Sequence, residues 1–254
     1  AMHLGLKSFG IKENDEVIIP DITWIATASS ITYVNAKPIF VDVELDTWCI
    51  DPESIRKAIT SRTKAIMPVH LYGNPANMDE IMEIAEKNNL IVIEDAAPAL
   101  GADYKGRKIG SCGHCSAFSF QGAKTITTGE GGMLLTNDSE KFTKMEKFGN
   151  HGRSLDKVMW NDEIGLKYNI SNIQAALGLA QIERIDELVD KKRKIFQWYS
   201  ERLGSVSGIQ LNTERSNCRN SFWMSTIVIE KNISISREQI MKKLKEWNID
   251  SRPT

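Results

Sequence analysis

A chain of 254 residues with 32 basic and 33 acidic side chains, 41% hydrophobic and 26% charged residues, has the composition of an ordinary globular protein, which excludes disorder, collagen and coiled coil. Its formal net charge of −1 provides no global field for nucleic acid or an anionic membrane, so the expected partners are small molecules and other subunits, with any charged ligand held locally. No apolar run approaches the length of a membrane span, and no basic start leads into an apolar core, so the expected setting is cytoplasmic.

The opening Ala1-Met2-His3-Leu4-Gly5-Leu6 already lies inside a helical pattern with no capping residue ahead of it. Val17-Ile18-Ile19-Pro20 reads as a strand, Ile25 to Val34 as a helix and Ile39 to Val43 as a second strand. Asp51-Pro52-Glu53-Ser54 reads as a helix start, with Asp51 as cap and Pro52 at the first helical position, where its missing N–H costs nothing. Ala65 to Leu71 follows as strand, Met78 to Asn88 as helix and Leu90 to Glu94 as strand, and this alternation predicts a mostly parallel sheet covered on both faces.

Beyond Asp95 the rhythm changes. Ser116 to Phe120 and Gly132 to Thr136 read as strands joined by the Gly- and Thr-rich stretch Gln121 to Gly131, which is too short for a crossover helix. Asp138 to Phe148 reads as helix, Asn150 to Ile170 as a long loop, and Ser171 to Leu203 as one long helix ending at Gly204. A composition shift there sets a boundary between a large domain, 1–204, and the beginning of a smaller one, 205–254, in which Phe222 to Glu230 reads as strand and Ser236 to Trp247 as helix. The chain closes at Asp250-Ser251-Arg252-Pro253-Thr254, where another strand is expected, so both ends read as cuts in a longer protein.

Several side chains are candidates for chemistry. Asp95 sits just past an apolar strand, and ligands of open parallel sheets bind at the carboxyl ends of strands; a role as a simple cap is the alternative. Lys124 lies in Phe118-Ser119-Phe120-Gln121-Gly122-Ala123-Lys124-Thr125, where small residues let a ligand approach the backbone and hydroxyls suit a phosphate. A lysine held there can form a Schiff base once deprotonated, or it is a solvated surface charge. Trp24 offers an aromatic face for a flat cofactor, or is a core or helix-start aromatic. His70 reads as a satisfied histidine at a strand end, and Lys191-Lys192-Arg193-Lys194 as a solvated helix face.

The four cysteines, Cys49, Cys112, Cys115 and Cys218, are too few for a disulfide framework and are expected as free thiols. Cys112-Gly113-His114-Cys115 precedes a strand instead of a helix, so the thiolate activation of a redox CxxC is missing, and a zinc site would need a second ligand pair. No metal is expected.

The ordered motifs Asp15 to Pro20, Ala36 to Val43, Pro68-Val69-His70-Leu71-Tyr72-Gly73, Glu94-Asp95-Ala96-Ala97, Phe118-Ser119-Phe120 with Lys124, Gly129-Glu130-Gly131-Gly132, Asn150-His151-Gly152-Arg153 and Asn172 to Ala176 resemble the DegT/DnrJ/EryC1/StrS sugar aminotransferases across essentially the whole chain. The resemblance implies an α/β, fold-type-I, aspartate-aminotransferase-like architecture: a three-layer α/β/α large domain over 1–204 that binds pyridoxal 5'-phosphate, and the start of a small α+β domain over 205–254. It makes Lys124 the lysine that holds the cofactor and moves protons on the substrate carbon, and Asp95 the partner of the pyridine nitrogen. It also makes Trp24 the ring-stacking residue and Ser119 a phosphate ligand. A lysine at this position marks aminotransferases, where related dehydratases carry histidine.

Phe222-Trp223-Met224 and Glu163 to Tyr168 look most like the perosamine-synthase-like branch, which aminates position 4 of a nucleotide-linked 4-keto-6-deoxyhexose. The implied reaction takes an amino group from glutamate to a nucleotide-linked keto-sugar in a homodimer, for amino-sugar, lipopolysaccharide and O-antigen biosynthesis. A cyclitol-ketone aminotransferase, an inactive fragment or interaction subunit, and a CxxC redox protein are the alternatives. The chain departs from the pattern at Pro98, where the family usually has Gln, His or Glu. It departs again at Lys167-Tyr168-Asn169, where many members have Asn-x-Arg and where Lys167 is expected to offer its charge to the phosphate. The family's Gly-Thr phosphate turn would fall just before Ala1.

Overall fold

The computed structural model describes residues 1–253. In chain order the elements are helix α1 (Met2–Ser8), strand β1 (Glu16–Pro20), α2 (Ile25–Thr32), β2 (Lys37–Val41), α3 (Pro52–Ala58), β3 (Thr63–Ile66), a 3-10 turn (Leu71–Gly73), α4 (Met78–Asn88), β4 (Ile91–Asp95) and the short pair β5 (Asp103–Tyr104) and β6 (Arg107–Lys108). Strands β7 (Cys115–Ser119) and β8 (Gly132–Leu135) follow, then α5 (Ser139–Gly149), α6 (Asn172–Ile182), α7 (Ile185–Leu203), β9 (Ile209–Leu211), β10 (Cys218–Arg219), β11 (Ile227–Ile229) and α8 (Arg237–Glu246).

Six strands form the central sheet in the order β2-β1-β3-β4-β7-β8, parallel throughout except that β8 runs antiparallel to β7. The pleat sends alternate residues of β1 to opposite faces. Ile18 joins a core built with Ile55 of α3, Ile81, Ile84 and Ala85 of α4 and the partly buried Ile185 and Leu188 of α7. Val17 and Ile19 join the other core, with Leu4 and Leu6 of α1, Ala28 and Ile31 of α2 and Met145 of α5. Burial on both faces explains why these strands read as continuous apolar runs. The result is the three-layer α/β/α arrangement expected from the alternation.

Local signals act as the sequence predicts. The Asp51 carboxylate accepts from the Glu53 and Ser54 N–H groups with Pro52 opening α3, and α4 spans Met78–Asn88 as predicted, ending at Asn89 in the left-handed region (φ 53°). Asp138, read as the first residue of a helix, is instead the cap of α5 and accepts from Lys141 N–H.

Four expectations need correction. The predicted strand Ala65 to Leu71 is cut short: regular pairing stops at Ile66, Val69 keeps a single bridge to Asp95, and Leu71 opens the 3-10 turn. The single helix predicted over Ser171 to Leu203 is two helices, broken at Glu183 and Arg184, where Arg184 leaves helical geometry (φ −114°, ψ 18°). The halves dock on different surfaces: α7 drives Val189 into the core against Gly101, while α6 lies against the loop between β7 and β8. Phe222 to Glu230 is strand only over Ile227–Ile229, because the Phe222 and Thr226 N–H groups are taken by the side chains of Asn220 and Asn212 instead of a ladder. Finally, Arg193 does not belong to a solvated face: it holds Glu214 and the Asn220 carbonyl, and Arg219 pairs with Asp190 at 2.6 Å. A hairpin that alternation did not reveal, β5–β6, pairs antiparallel with β10 and so joins residues on either side of position 204.

Candidate active site

The parallel strands β4 and β7 are neighbours, with Asp95 opposite Ala117, so Asp95 and Ser119 emerge side by side at their carboxyl ends. Asp95 is 4% exposed. Its Oδ2 accepts from the Thr27 hydroxyl at 2.7 Å and its Oδ1 from the Ala97 N–H at 3.2 Å, and the Thr27 oxygen lies 2.7 Å from that of Thr23. Thr27 is carried by α2, which the chain places behind β1, so an element far away in sequence fixes this carboxylate. Burial pushes the Asp95 carboxyl above the usual carboxylate range, while the bonds from Thr27 and Ala97 and the charge of Lys124 oppose that rise.

Lys124 occupies the loop between β7 and β8. The loop is closed on itself by Phe120 N–H to Gly131 carbonyl (2.9 Å) and Thr128 N–H to Phe120 carbonyl (2.8 Å), and Lys124 N–H bonds the Gln121 carbonyl at 2.9 Å. Helix α6 braces it from outside: Gln181 accepts from Thr127 N–H at 3.0 Å and donates to the Thr127 carbonyl, and Gln174 donates to the Glu130 carbonyl at 2.7 Å. Gln174 is itself fixed by the capping box it forms with Ser171. Burial lowers the pKa of the Lys124 amine, and the nearby Asp95 charge opposes the shift. Each group thus feels the other across the carboxyl end of the sheet.

Trp24 is the N-cap residue of α2, 78% exposed, with its carbonyl bonded by Thr27 N–H at 3.0 Å. Its large aromatic face is therefore free, and it is a helix-start residue, not a core one. Ser119 is half-buried and its Oγ accepts from Gln121 N–H at 3.3 Å, which leaves the hydroxyl proton available. Lys167 is exposed, with its backbone bridged to Asn150 in the long loop, and no hydrogen bond or ion pair joins it to Asp95 or Lys124 among the described residues. Pro98 is buried and brings no side-chain donor or acceptor.

His70 is fully buried and satisfied, as its position at a strand end suggests: its ring bonds Glu94 at 3.0 Å and accepts from Ala76 N–H at 3.1 Å. All four cysteines are free, and burial pushes the thiols of Cys112 and Cys115 up to about 11 and about 12, so neither is a thiolate near neutral pH. No cluster of metal-ligating residues exists among the described residues. Sequence reasoning missed Thr27, Gln174, Gln181 and Trp223, whose side chains reach the site region only through tertiary packing. The hydroxyl-rich run around Thr27 was a visible hint, and Gln174 and Trp223 lay inside motifs of the family resemblance without a role assigned to them.

The chain belongs to the DegT/DnrJ/EryC1/StrS aminotransferase family, whose model matches residues 1–254. It is 44% identical over 254 residues to the GDP-perosamine synthase of Caulobacter vibrioides, covering 100% of this chain and 68% of that protein. Among solved structures it is similar to DesV of S. venezuelae, with TM-score 0.91 and 32% identity over 98% of this chain and 66% of that one. It is also similar to the PLP form of Spr1654 from Streptococcus pneumoniae, with TM-score 0.93 and 28% identity over 99% of this chain and 70% of that one. The chain thus spans about two thirds of the length of these relatives. The fold is that of the pyridoxal-phosphate aminotransferases, and pyridoxal 5'-phosphate is the cofactor of the family.

The donor set fits this group. Asp95 is a buried carboxylate with two neutral donors and no ion pair among the described residues, which a protonated ring nitrogen would complete. The lowered pKa of Lys124 suits an amine that must attack a carbonyl.

Proposed function

We propose, on the premise of that family membership, that this chain transfers an amino group from glutamate to a nucleotide-linked keto-sugar of the 4-keto-6-deoxyhexose class, and that Lys124 is its catalytic residue. The observation that carries the reading is the buried Asp95 at the carboxyl end of β4 with Lys124 in the loop that leaves the adjacent parallel strand β7, close enough for each charge to act on the other. Pyridoxal phosphate supplies a reactive carbonyl and a ring that accepts the electrons of a substrate carbanion. Lys124 would hold the group at that carbon through its amine, the oxygen leaving as water, and once released would carry a proton from the donor carbon and deliver one to the sugar carbon. Asp95, pinned by Thr27 and Ala97, keeps the ring nitrogen protonated. Trp24 covers the ring face, Ser119 donates its free hydroxyl proton to the phosphate, and Lys167 adds positive charge to the phosphate site. The similarity to a GDP-perosamine synthase supports the sugar class.

The same reading includes a homodimer in the cytoplasm that serves amino-sugar and O-antigen synthesis, and a smaller domain beginning after position 204. The test is to mix the chain with pyridoxal 5'-phosphate, reduce with borohydride and map the modified lysine by peptide mass spectrometry. Selective labelling at Lys124 that disappears in Lys124→Ala is the expected result. Labelling spread evenly over exposed lysines would overturn the assignment. With cofactor bound, a GDP-linked 4-keto-6-deoxyhexose and glutamate should yield 2-oxoglutarate at a rate that Lys124→Ala abolishes.

A further inference from the structure

The Lys124 amine has no hydrogen bond or ion pair among the described residues; its nearest partner is an aromatic face. Its Nζ stands 3.8 Å from the centroid of the Trp223 ring, well inside cation–π range. The ring is held there by two independent devices. The indole Nε1 donates to the carbonyl of Ala123 at 2.8 Å, which fixes the ring relative to the very loop that carries Lys124. The backbone leading to Trp223 is fixed from behind: Phe222 adopts a left-handed conformation (φ 47°), costly for an aromatic residue, and stacks on Phe196 of α7 with ring centroids 3.9 Å apart. Phe222 N–H donates to Asn220 Oδ1 at 2.7 Å, Asn220 N–H to Glu214 at 2.7 Å, and Glu214 is gripped by Arg193 of α7. Strain at one residue persists only where the surroundings over-determine it, and here they do so immediately before the tryptophan.

We propose that Trp223 is a positioning residue that seats the Lys124 ammonium whenever the amine is not bonded to the cofactor. The proposal rests on the assignment of Lys124 as the cofactor-holding lysine. In an amino-transfer cycle this amine is repeatedly released, and a free ammonium at a partly buried site drifts towards water unless something holds it. A π face attracts the cation without a carboxylate's ability to neutralise it or a hydrogen-bond acceptor's ability to fix it in one rotamer. The amine therefore stays close to the reacting carbon and remains free to shed its proton. Burial lowers the Lys124 pKa, and the Asp95 carboxylate at the end of β4, the charged group whose field reaches Lys124 among the described residues, opposes that shift. The ring, its centroid 3.8 Å from Nζ, acts in the same direction as Asp95.

The experiment measures the pH dependence of Lys124 acylation in the cofactor-free chain by mass spectrometry, with exposed lysines as internal standards. Trp223→Met keeps apolar bulk and removes the π face. It should lower the Lys124 midpoint by about half a unit to one and a half units, because the ammonium loses a stabilising partner. Trp223→Phe keeps a face but loses the indole N–H, and its midpoint should lie between the two. Should the Met variant fail to fold by circular dichroism, Trp223→Leu takes its place. Coincident midpoints in all variants, or a midpoint that rises in Met or Leu, would overturn the seat. Borohydride trapping with pyridoxal phosphate on the unsubstituted chain is run alongside: absence of selective Lys124 labelling removes the catalytic assignment, whereas labelling with coincident midpoints removes only the role of Trp223.

Discussion

Glu94 and Asp95 are neighbours in the chain with opposite electrostatic fates. Burial alone would raise Glu94, yet it accepts from His70 Nε2 (3.0 Å) and from the N–H groups of Gly110 (2.9 Å), Cys112 (2.8 Å) and Gly113 (2.6 Å), and these bonds hold its pKa below the usual range. His70 accepts at Nδ1 from Ala76, so its proton resides on Nε2 and points at Glu94. Glu94 is thus a structural hub, and Glu94→Gln, which turns an amide N–H towards donors, should cost about 3 kcal/mol in urea unfolding. Because the native pKa is lowered, the ionised carboxylate stabilises the fold above its ordinary pKa. That stability is lost as pH falls through the native value, so the gap between Glu94→Gln and the unsubstituted chain should narrow in acid. Asp95 carries the reverse sign: its raised pKa makes a contribution that is present below the ordinary carboxylate pKa and lost as pH rises through the native one. Asp95→Asn should therefore leave the cofactor-free chain at least as stable near pH 8 in thermal melts, while turnover drops by about a hundredfold or more with the loss of a preorganised charge. A melt that shows strong destabilisation at pH 8 would mean that Asp95 is there for the fold.

At the level of elements, the site depends on one glycine at the end of the 3-10 turn. Gly73 has φ +101°, and a Cβ there would collide with Ser221 Oγ and stand 2.8 Å from Phe222 N and 2.9 Å from Asn220 Oδ1, while Ser221 N–H bonds the Gly73 carbonyl at 3.1 Å. Gly73→Ala should destabilise the chain by about 3 kcal/mol, from the positive φ and the overpacking together. It should also move the Lys124 acylation midpoint in the same direction as Trp223→Met, because the segment carrying the ring is displaced. This coupling marks the limit of what the sequence discloses. The apolar runs of β1, β3, β4 and β7 and the Asp51 cap are local signals, so they were legible, and with them the positions of Asp95 and Ser119 at strand ends and of Lys124 in the loop that follows β7. The break at Glu183 and Arg184 was not, because both residues tolerate helix and only the separate docking of α6 and α7 requires the bend. Arg193 and Trp223 were illegible for a related reason. Arg193 reads as part of a solvated helix face and Trp223 as a strand residue inside a branch motif; the contacts of both become visible only once the segment around β10 is fixed by pairing with β5.

The molecule as a whole leaves one element unexplained within a single chain. Helix α6, Asn172-Ile173-Gln174-Ala175-Ala176-Leu177-Gly178-Leu179-Ala180-Gln181-Ile182, is apolar on nearly every side, yet none of its residues is buried. A helix of that composition is stable in water only against a partner. Its one occupied face, Gln174, Gly178 and Gln181, rests on the loop of Lys124; Ile173 (72% exposed) and Leu177 (53% exposed), one turn apart, face elsewhere with Ala176 and Ala180. The homodimer proposed above would cover this face with a second copy of the chain, and that arrangement would have a consequence for catalysis. A subunit packed on the outer face of α6 would press the Gln174 and Gln181 side of the helix onto the loop carrying Lys124, so dimer formation and the placing of that amine become one event. Leu177→Lys puts a charge in the middle of this face without touching the loop. It should convert a dimer to a monomer in light scattering at micromolar concentration, with circular dichroism unchanged, and should reduce selective borohydride trapping at Lys124. If the unsubstituted chain is already monomeric, α6 has another partner. If Leu177→Lys dissociates the dimer but leaves trapping intact, the loop is held by Gln174, Gln181 and Trp223 without help from the second subunit.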